Sequence, residues 1–391
     1  IFLYLCLGSI DSSYGQGHKI DFTIKGLPDS AITVGYHMGN QKYALDTIPI
    51  KNESFSIQGA DPLKQGLYFI YTPGYYFEFI VKEQVFSIHS VYGKGYEEVK
   101  VKGSEENQIF RDFQVKMNTT RKELMDLKAQ LDTTQDSLVI IQKIKEKEQA
   151  MVGQRRLIAM ENQETFLSAF LNLMQEPETP GFENIDDPSL RRVHQYNYYS
   201  SHYFDRVQLD NEALIRTPLL QPKVMKYFDQ VIPQHPDTIN QEIDIIFEKV
   251  GDSDELFRYW LISFYNKYQE SKIMGMDKVV VHLMEDYFLS ERADWLNEEG
   301  IEKIKEEVTF TKHSLIGNEA PTMELVDTLN QPFYFEQIPD PFVLLYFYDP
   351  DCGHCKKKTP VLVDEYDALR DLGIEVVAVC TVTDVERWKS Y

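Results

Sequence analysis

Apolar and polar positions alternate along the first hundred residues. Ile20, Phe22 and Ile24 share one parity, as do Ile32, Val34 and Tyr36, then Phe55 and Ile57, then Leu67, Phe69 and Tyr71. A period of two predicts strands with one buried face. Turn-forming clusters separate them at Gly26-Leu27-Pro28-Asp29, Gly39-Asn40, Lys51-Asn52 and Gly93-Lys94-Gly95. Short strands with such punctuation predict a small antiparallel sandwich or barrel over residues 16–102.

At Gly103-Ser104 the period changes from two to about 3.6. Ser104 suits an N-cap, with Glu105 and Glu106 in the first turn. Leu124, Leu127, Leu131, Leu138 and Ile141 follow heptad-like spacing, interrupted by the polar patch Thr133-Thr134-Gln135-Asp136. A helical hairpin is the prediction, with one face buried against the rest of the chain. A loop rich in Pro, Asp and Glu covers about 175–190. Asp237 is read as the cap of a helix carrying Ile239, Ile243, Ile246 and Val250 and stopped by Gly251. Leu256, Trp260, Phe264 and Tyr268 form the next stripe, and Val279, Val280, Leu283 and Tyr287 another. Stripes at this spacing are core. Residues 103–315 are therefore expected to be all-α.

From about Ile316 the pattern turns α/β. Glu324-Leu325-Val326 and Phe333-Tyr334-Phe335 predict a short hairpin. Phe342–Tyr348 and Glu375–Cys380 read as buried strands, with a helix from about Cys352 to Leu372 between them that runs through Pro360. Strand, helix, strand implies a right-handed parallel crossover. Two thiols, Cys352 and Cys355, open that helix one turn apart in Cys352-Gly353-His354-Cys355. A helix N-terminus favours a thiolate, and Lys356, Lys357 and Lys358 follow. Cys352, at the exposed start, is the expected nucleophile; Cys355, under the turn, is the expected resolving thiol. His354 is expected to tune the thiolate favourably and Asp351 unfavourably.

Composition narrows the setting. A chain of 391 residues exceeds one ordinary core. The formal net charge of −22 argues against nucleic acid and anionic membrane surfaces as partners. Residues 1–15 open with the apolar run Ile1–Ile10, too short to span a bilayer. They read as the remnant of a secretory signal peptide, with Ser13-Tyr14-Gly15 offering cleavage before Gln16. Cys6 lies in a poor lipobox, since Tyr4 and Leu5 stand where small residues belong. A buried N-terminal strand is the competing reading. No later segment is long and apolar enough to be transmembrane. The chain has 4 cysteines, too few for a disulfide framework once Cys6 is removed. Zinc would need a second Cys/His pair at ligand spacing. Cys380 stands alone, read as a strand residue, and His18, His194 and His202 fall in other predicted domains. No metal or cofactor is expected.

The run Tyr346-Phe347-Tyr348-Asp349-Pro350-Asp351-Cys352-Gly353-His354-Cys355-Lys356-Lys357, with Pro360 and Ile374–Val379, resembles the thioredoxin-like domains of the TlpA/ResA group. Ile316-Gly317-Asn318-Glu319-Ala320-Pro321 resembles the start of that domain. Arg216-Thr217-Pro218-Leu219-Leu220, Pro236–Asn240 and Ser271–Asp277 resemble a helical domain of unknown function that accompanies such thioredoxins in bacteroidete envelope proteins. Asp46-Thr47, Phe55 and Gly66-Leu67-Tyr68 resemble their small β domain. The resemblance implies periplasmic thiol–disulfide exchange with protein thiols and disulfides and with an electron donor of the membrane or periplasm. It also implies that the domain over 316–391 is incomplete: the resembled fold carries a cis-proline beyond the dithiol-bearing half, and only about 75 residues follow Ile316 where about 100 or more are needed. Its strands would then be left exposed. Tyr346 replaces the buried carboxylate of thioredoxin, Asp351 replaces the usual Trp, and the Gly-His pair is that of protein disulfide isomerase.

Two alternatives follow from other residues. A peroxiredoxin shares this fold, but it needs Pro and Thr where Leu345 and Asp349 stand. A non-catalytic envelope binding protein would use a surface such as Tyr196–Phe204, a stretch otherwise explained by packing between helices.

Overall fold

The computed structural model describes residues 17–131, 137–319, 322–382 and 384–391. The chain divides into two compact units, one up to Ile316 and one from Gly317 onward. The expected signal remnant and the polar patch Thr133–Asp136 lie outside the described residues.

The first unit opens with eight strands: β1 (His18–Lys25), β2 (Ala31–Met38), β3 (Gln41–Pro49), β4 (Ser54–Gly59), β5 (Gly66–Thr72), β6 (Tyr75–Val81), β7 (Val85–Val91) and β8 (Lys100–Lys102). They form two four-stranded sheets, ordered β4-β1-β7-β8 and β3-β2-β5-β6. Side chains of both inner faces meet in one core, where Phe22 stacks on Phe55 at 4.9 Å and meets the Phe79 ring edge-on. The sandwich is not purely antiparallel, as the alternation had predicted. β1 and β7 run parallel, with Lys19 beside Val85 and Lys25 beside Val91. A parallel neighbour needs a long crossover, and here the intervening strands supply it.

β5 also departs from the predicted alternation. Tyr68 and Ile70 enter the sandwich core, Leu67 joins the helical core, and Tyr71 is exposed. β5 is an inner strand, covered on one face by the opposite sheet and at its start by helices on the other.

Nine helices follow among the described residues of this unit: α1 (Glu105–Leu131), α2 (Ser137–Glu161), α3 (Phe166–Asn172), α4 (Pro188–Ser201), α5 (Leu220–Lys226), α6 (Pro236–Val250), α7 (Asp254–Gln269), α8 (Asp277–His282) and α9 (Glu298–His313). Single π-helical turns extend α5 through Val231 and α8 through Phe288. Ser104 caps α1 by accepting from the Asn107 N–H at 3.1 Å. The buried Glu106 carboxylate accepts from the Phe166 and Leu167 N–H groups that open α3, and Lys82 neutralises it at 3.0 Å. One side chain thus ties the turn after β6, the hairpin and a helix start together.

α1 and α2 form the expected hairpin, but in a different frame. Leu124 is buried, whereas Leu138 is 80% exposed and Ile141 points outward; Ile140, at 9%, is the inward residue. The stripe that turns inward on α2 runs Ile140, Ile144, Lys147, Met151 and Ile158, one position away from the heptad reading. α2 has apolar residues on several faces, so spacing alone does not pick the packed one.

The cap of α6 is likewise displaced. His235 occupies the N-cap and accepts from the Asp237 N–H, Pro236 is the first helical residue, and the Asp237 carboxylate pairs with Lys278. The stripes on α6 and α7 are buried as read. The aromatic stretch 196–204 is largely packing: Tyr203 is buried against Tyr227, Tyr199 donates to Glu176, and Tyr198 stacks on His202. Arg216, also buried, donates to the Gln65 carbonyl and to Glu255, both at 2.7 Å.

The second unit holds a minimal hairpin, β9 (Leu325–Val326) with β10 (Pro332–Phe333), then β11 (Phe342–Tyr348), α10 (Gly353–Asp371), β12 (Ile374–Cys380) and α11 (Val385–Ser390). β11 and β12 are parallel, from Phe342 beside Ile374 to Tyr348 beside Cys380. Their apolar runs predict burial on both faces, yet Phe342 is 65% and Phe347 53% exposed. Parallel strands are buried only when layers cover both faces. Among the described residues each of these strands has the other as its one sheet partner.

Candidate active site

The end of β11 delivers the chain into a tight turn. Asp349 builds it: its carboxylate accepts from the Asp351 N–H at 2.7 Å, and its carbonyl accepts from the Cys352 N–H at 3.1 Å. Asp side chains favour such turns because they bond their own backbone two residues on. Pro350 is buried between. Cys352 is then the N-cap of α10, and its Sγ accepts from the Cys355 N–H at 3.4 Å. The thiol stands where the unsatisfied N–H groups of a helix start converge.

That placement lowers the Cys352 thiol below the ordinary range. The hydrogen bond from the Cys355 side chain contributes most, then the N–H of Cys355; the His354 N–H also contributes, while partial desolvation and the Asp349 charge oppose it. The thiol held low is the one expected to be the nucleophile, and the groups acting on it differ from those expected. His354 acts through its backbone, and its imidazole is exposed. The opposing carboxylate is Asp349, because Asp351 is turned to Arg387 of α11 in an ion pair. Lys356, Lys357 and Lys358 are all exposed. Cys352 and Cys355 are both half-buried with free thiols.

Beneath the dithiol lies a hydroxyl cluster that spacing alone does not reveal. Thr359 Oγ1 donates to the Cys355 carbonyl at 2.9 Å. It also meets Tyr346 Oη at 3.0 Å and Tyr391 Oη at 2.8 Å. The only available signal was the interval of four between Cys355 and Thr359 on a helix. Cys380 is half-buried at the end of β12, and burial, with the Cys380 thiol nearby, raises the Tyr348 phenol. A cavity of about 820 Å³ beside β12 is lined by Leu325, Phe333, Val377, Val379 and Cys380, but by neither sulfur of the dithiol.

Residues 316–390 match the model of the AhpC/TSA family. The C-terminal region is thus thioredoxin-like, and a thiol-based redox activity, oxidoreductase or peroxidase-like, is supported. Residues 140–313 match a domain of unknown function (DUF5106), and residues 18–110 match another (DUF4369). No curated protein and no solved structure matches the chain. No group of three or more His, Cys, Asp or Glu side chains among the described residues is arranged to hold a metal ion. No described helix is long and apolar enough to cross a membrane.

Proposed function

We propose that the chain is a thiol–disulfide oxidoreductase of the TlpA/ResA-like type, exported to the periplasm, that reduces disulfides through Cys352 and Cys355. The observation that carries this reading is the Cys352 sulfur at the N-cap of α10, facing the Cys355 N–H at 3.4 Å. The Cys352 thiolate attacks one sulfur of a substrate disulfide. An S–S bond forms to the protein, and the other substrate sulfur leaves as a thiolate. The Cys355 thiolate then attacks Cys352 Sγ and expels the second substrate sulfur. The substrate gains two electrons, the protein holds a Cys352–Cys355 disulfide, and an envelope electron donor restores the dithiol. Neither Cys380 nor either upstream domain is needed for these steps. Turbidimetric reduction of insulin by the full chain, with dithiothreitol as donor, tests it. Acceleration over dithiothreitol alone that vanishes in Cys352→Ser is the expected result; no acceleration overturns the reading.

The AhpC/TSA match favours one second reading, a peroxidase. Leu345 and Asp349 occupy the positions where peroxide activation needs Pro and Thr. Consumption of hydrogen peroxide by the reduced chain at a rate dependent on Cys352 would establish it instead.

A further inference from the structure

α10 carries Pro360 eight residues beyond its capping thiol. Proline has no N–H, so the Lys356 carbonyl loses its helical donor. The turn that holds the dithiol is thus short of one backbone hydrogen bond where it joins the rest of the helix. At that point the Thr359 hydroxyl adds a bond to the adjacent carbonyl, that of Cys355.

Proton inventory fixes the direction of the cluster. A carbonyl only accepts, so the single Thr359 proton goes to Cys355 O. Tyr346 and Tyr391 must then each donate to Thr359 Oγ1. Two phenols orient one hydroxyl, and that hydroxyl holds one peptide plane. Cys355 Cα joins this plane to the one whose N–H points at Cys352 Sγ. Tyr346 comes from β11 and Tyr391 follows α11, so the cluster anchors the turn to two other elements.

We propose that Thr359 and Tyr346 are positioning residues of the dithiol, holding through the Cys355 carbonyl the turn that aims the Cys355 N–H at Cys352 Sγ. The inference rests on the thiol-exchange reading above. Titratable and charged groups around Cys352 come from its loop (Asp349, Asp351), from α10 (His354, Lys356) and from α11 (Arg387), and the substitutions below change none of them.

The test equilibrates the full chain with reduced and oxidised glutathione and quantifies the Cys352–Cys355 disulfide. Thr359→Val and Tyr346→Phe are compared with Thr359→Ser, far-UV circular dichroism serving as the folding control. Loss of the clamp weakens the hydrogen bond that favours the thiolate, and so favours the disulfide. The equilibrium should move toward the disulfide by about threefold or more in Thr359→Val. Tyr346→Phe should move it the same way, and carries the test if the valine variant does not fold. Thr359→Ser, which keeps the hydroxyl, should return the wild-type constant. Valine and phenylalanine variants indistinguishable from wild type, or a serine variant that behaves like valine, overturn the inference and leave the exchange reading intact. A wild-type chain that forms no such disulfide at any glutathione ratio removes both.

Discussion

Arg216 and Glu255 form an ion pair at 2.7 Å in which the guanidinium is almost wholly buried and the carboxylate about a quarter exposed. The same guanidinium holds the Gln65 carbonyl ahead of β5, and Lys64 reaches Glu255 from outside at 2.8 Å. The pair therefore joins the strand layer to the start of α7. Arg216→Met should lower the urea midpoint by the equivalent of about 1–3 kcal/mol, because it leaves the Gln65 carbonyl without its donor and Glu255 with Lys64 alone. Arg216→Met with Glu255→Leu should recover part of the loss. A double variant no more stable than the single would show that burial of the pair is not the coupling.

Cys352 should react with iodoacetamide faster than Cys355 below neutral pH, since its thiol is the one held below the ordinary range. Its reaction rate should rise with pH and level off once the lowered pKa is passed. Asp349→Asn removes the opposing charge and keeps the turn-forming oxygen. The rise should then begin at lower pH. Mass spectrometry of labelled peptides across a pH series measures both effects. Equal rates at the two cysteines would contradict the cap geometry.

Cys355→Ser should accumulate mixed disulfides with protein substrates through Cys352, visible as dithiothreitol-sensitive bands on non-reducing gels. Cys352→Ser should show none. The asymmetry follows from attack by one sulfur and release by the other. Normal turnover by Cys355→Ser would rule out a two-thiol cycle.

Ile140→Ala should cost about 2 kcal/mol, while Leu138→Ala should be close to neutral. Thermal unfolding of the two variants side by side decides between the observed frame of α2 and the heptad frame of the sequence.

That last pair also shows where the sequence was legible. Strand periodicity placed Ile20, Phe22 and Ile24 correctly because β1 has one core-facing side. It failed at Tyr71 because β5 serves two cores, and a strand buried on both faces has no parity to read. The stripes on α6 and α7 were legible because each has one apolar face; α2, with apolar residues around much of its circumference, was not. At the site, the dithiol and its helix were legible because the Cys-x-x-Cys spacing and the strand before it are local. Asp349, Thr359 and Tyr391 were not. Their roles depend on which way a carboxylate turns and on hydroxyl groups brought together from β11, α10 and the residue after α11. The displaced cap of α6 has a local cause: Pro236 claims the first helical position and pushes the cap back to His235.

The parallel pairing of β1 with β7 sets the order in which the β domain can be completed. β1 finds β4 early, but its other edge stays open until the chain reaches Val85. The contact that closes the sheet is therefore among the most distant in the domain, and closing so long a loop is a slow, entropically opposed step. Refolding of this region should be governed by chain topology rather than by local strand preference. A nascent chain that has not yet emerged past Val91 holds β1 with half of its backbone partners still missing.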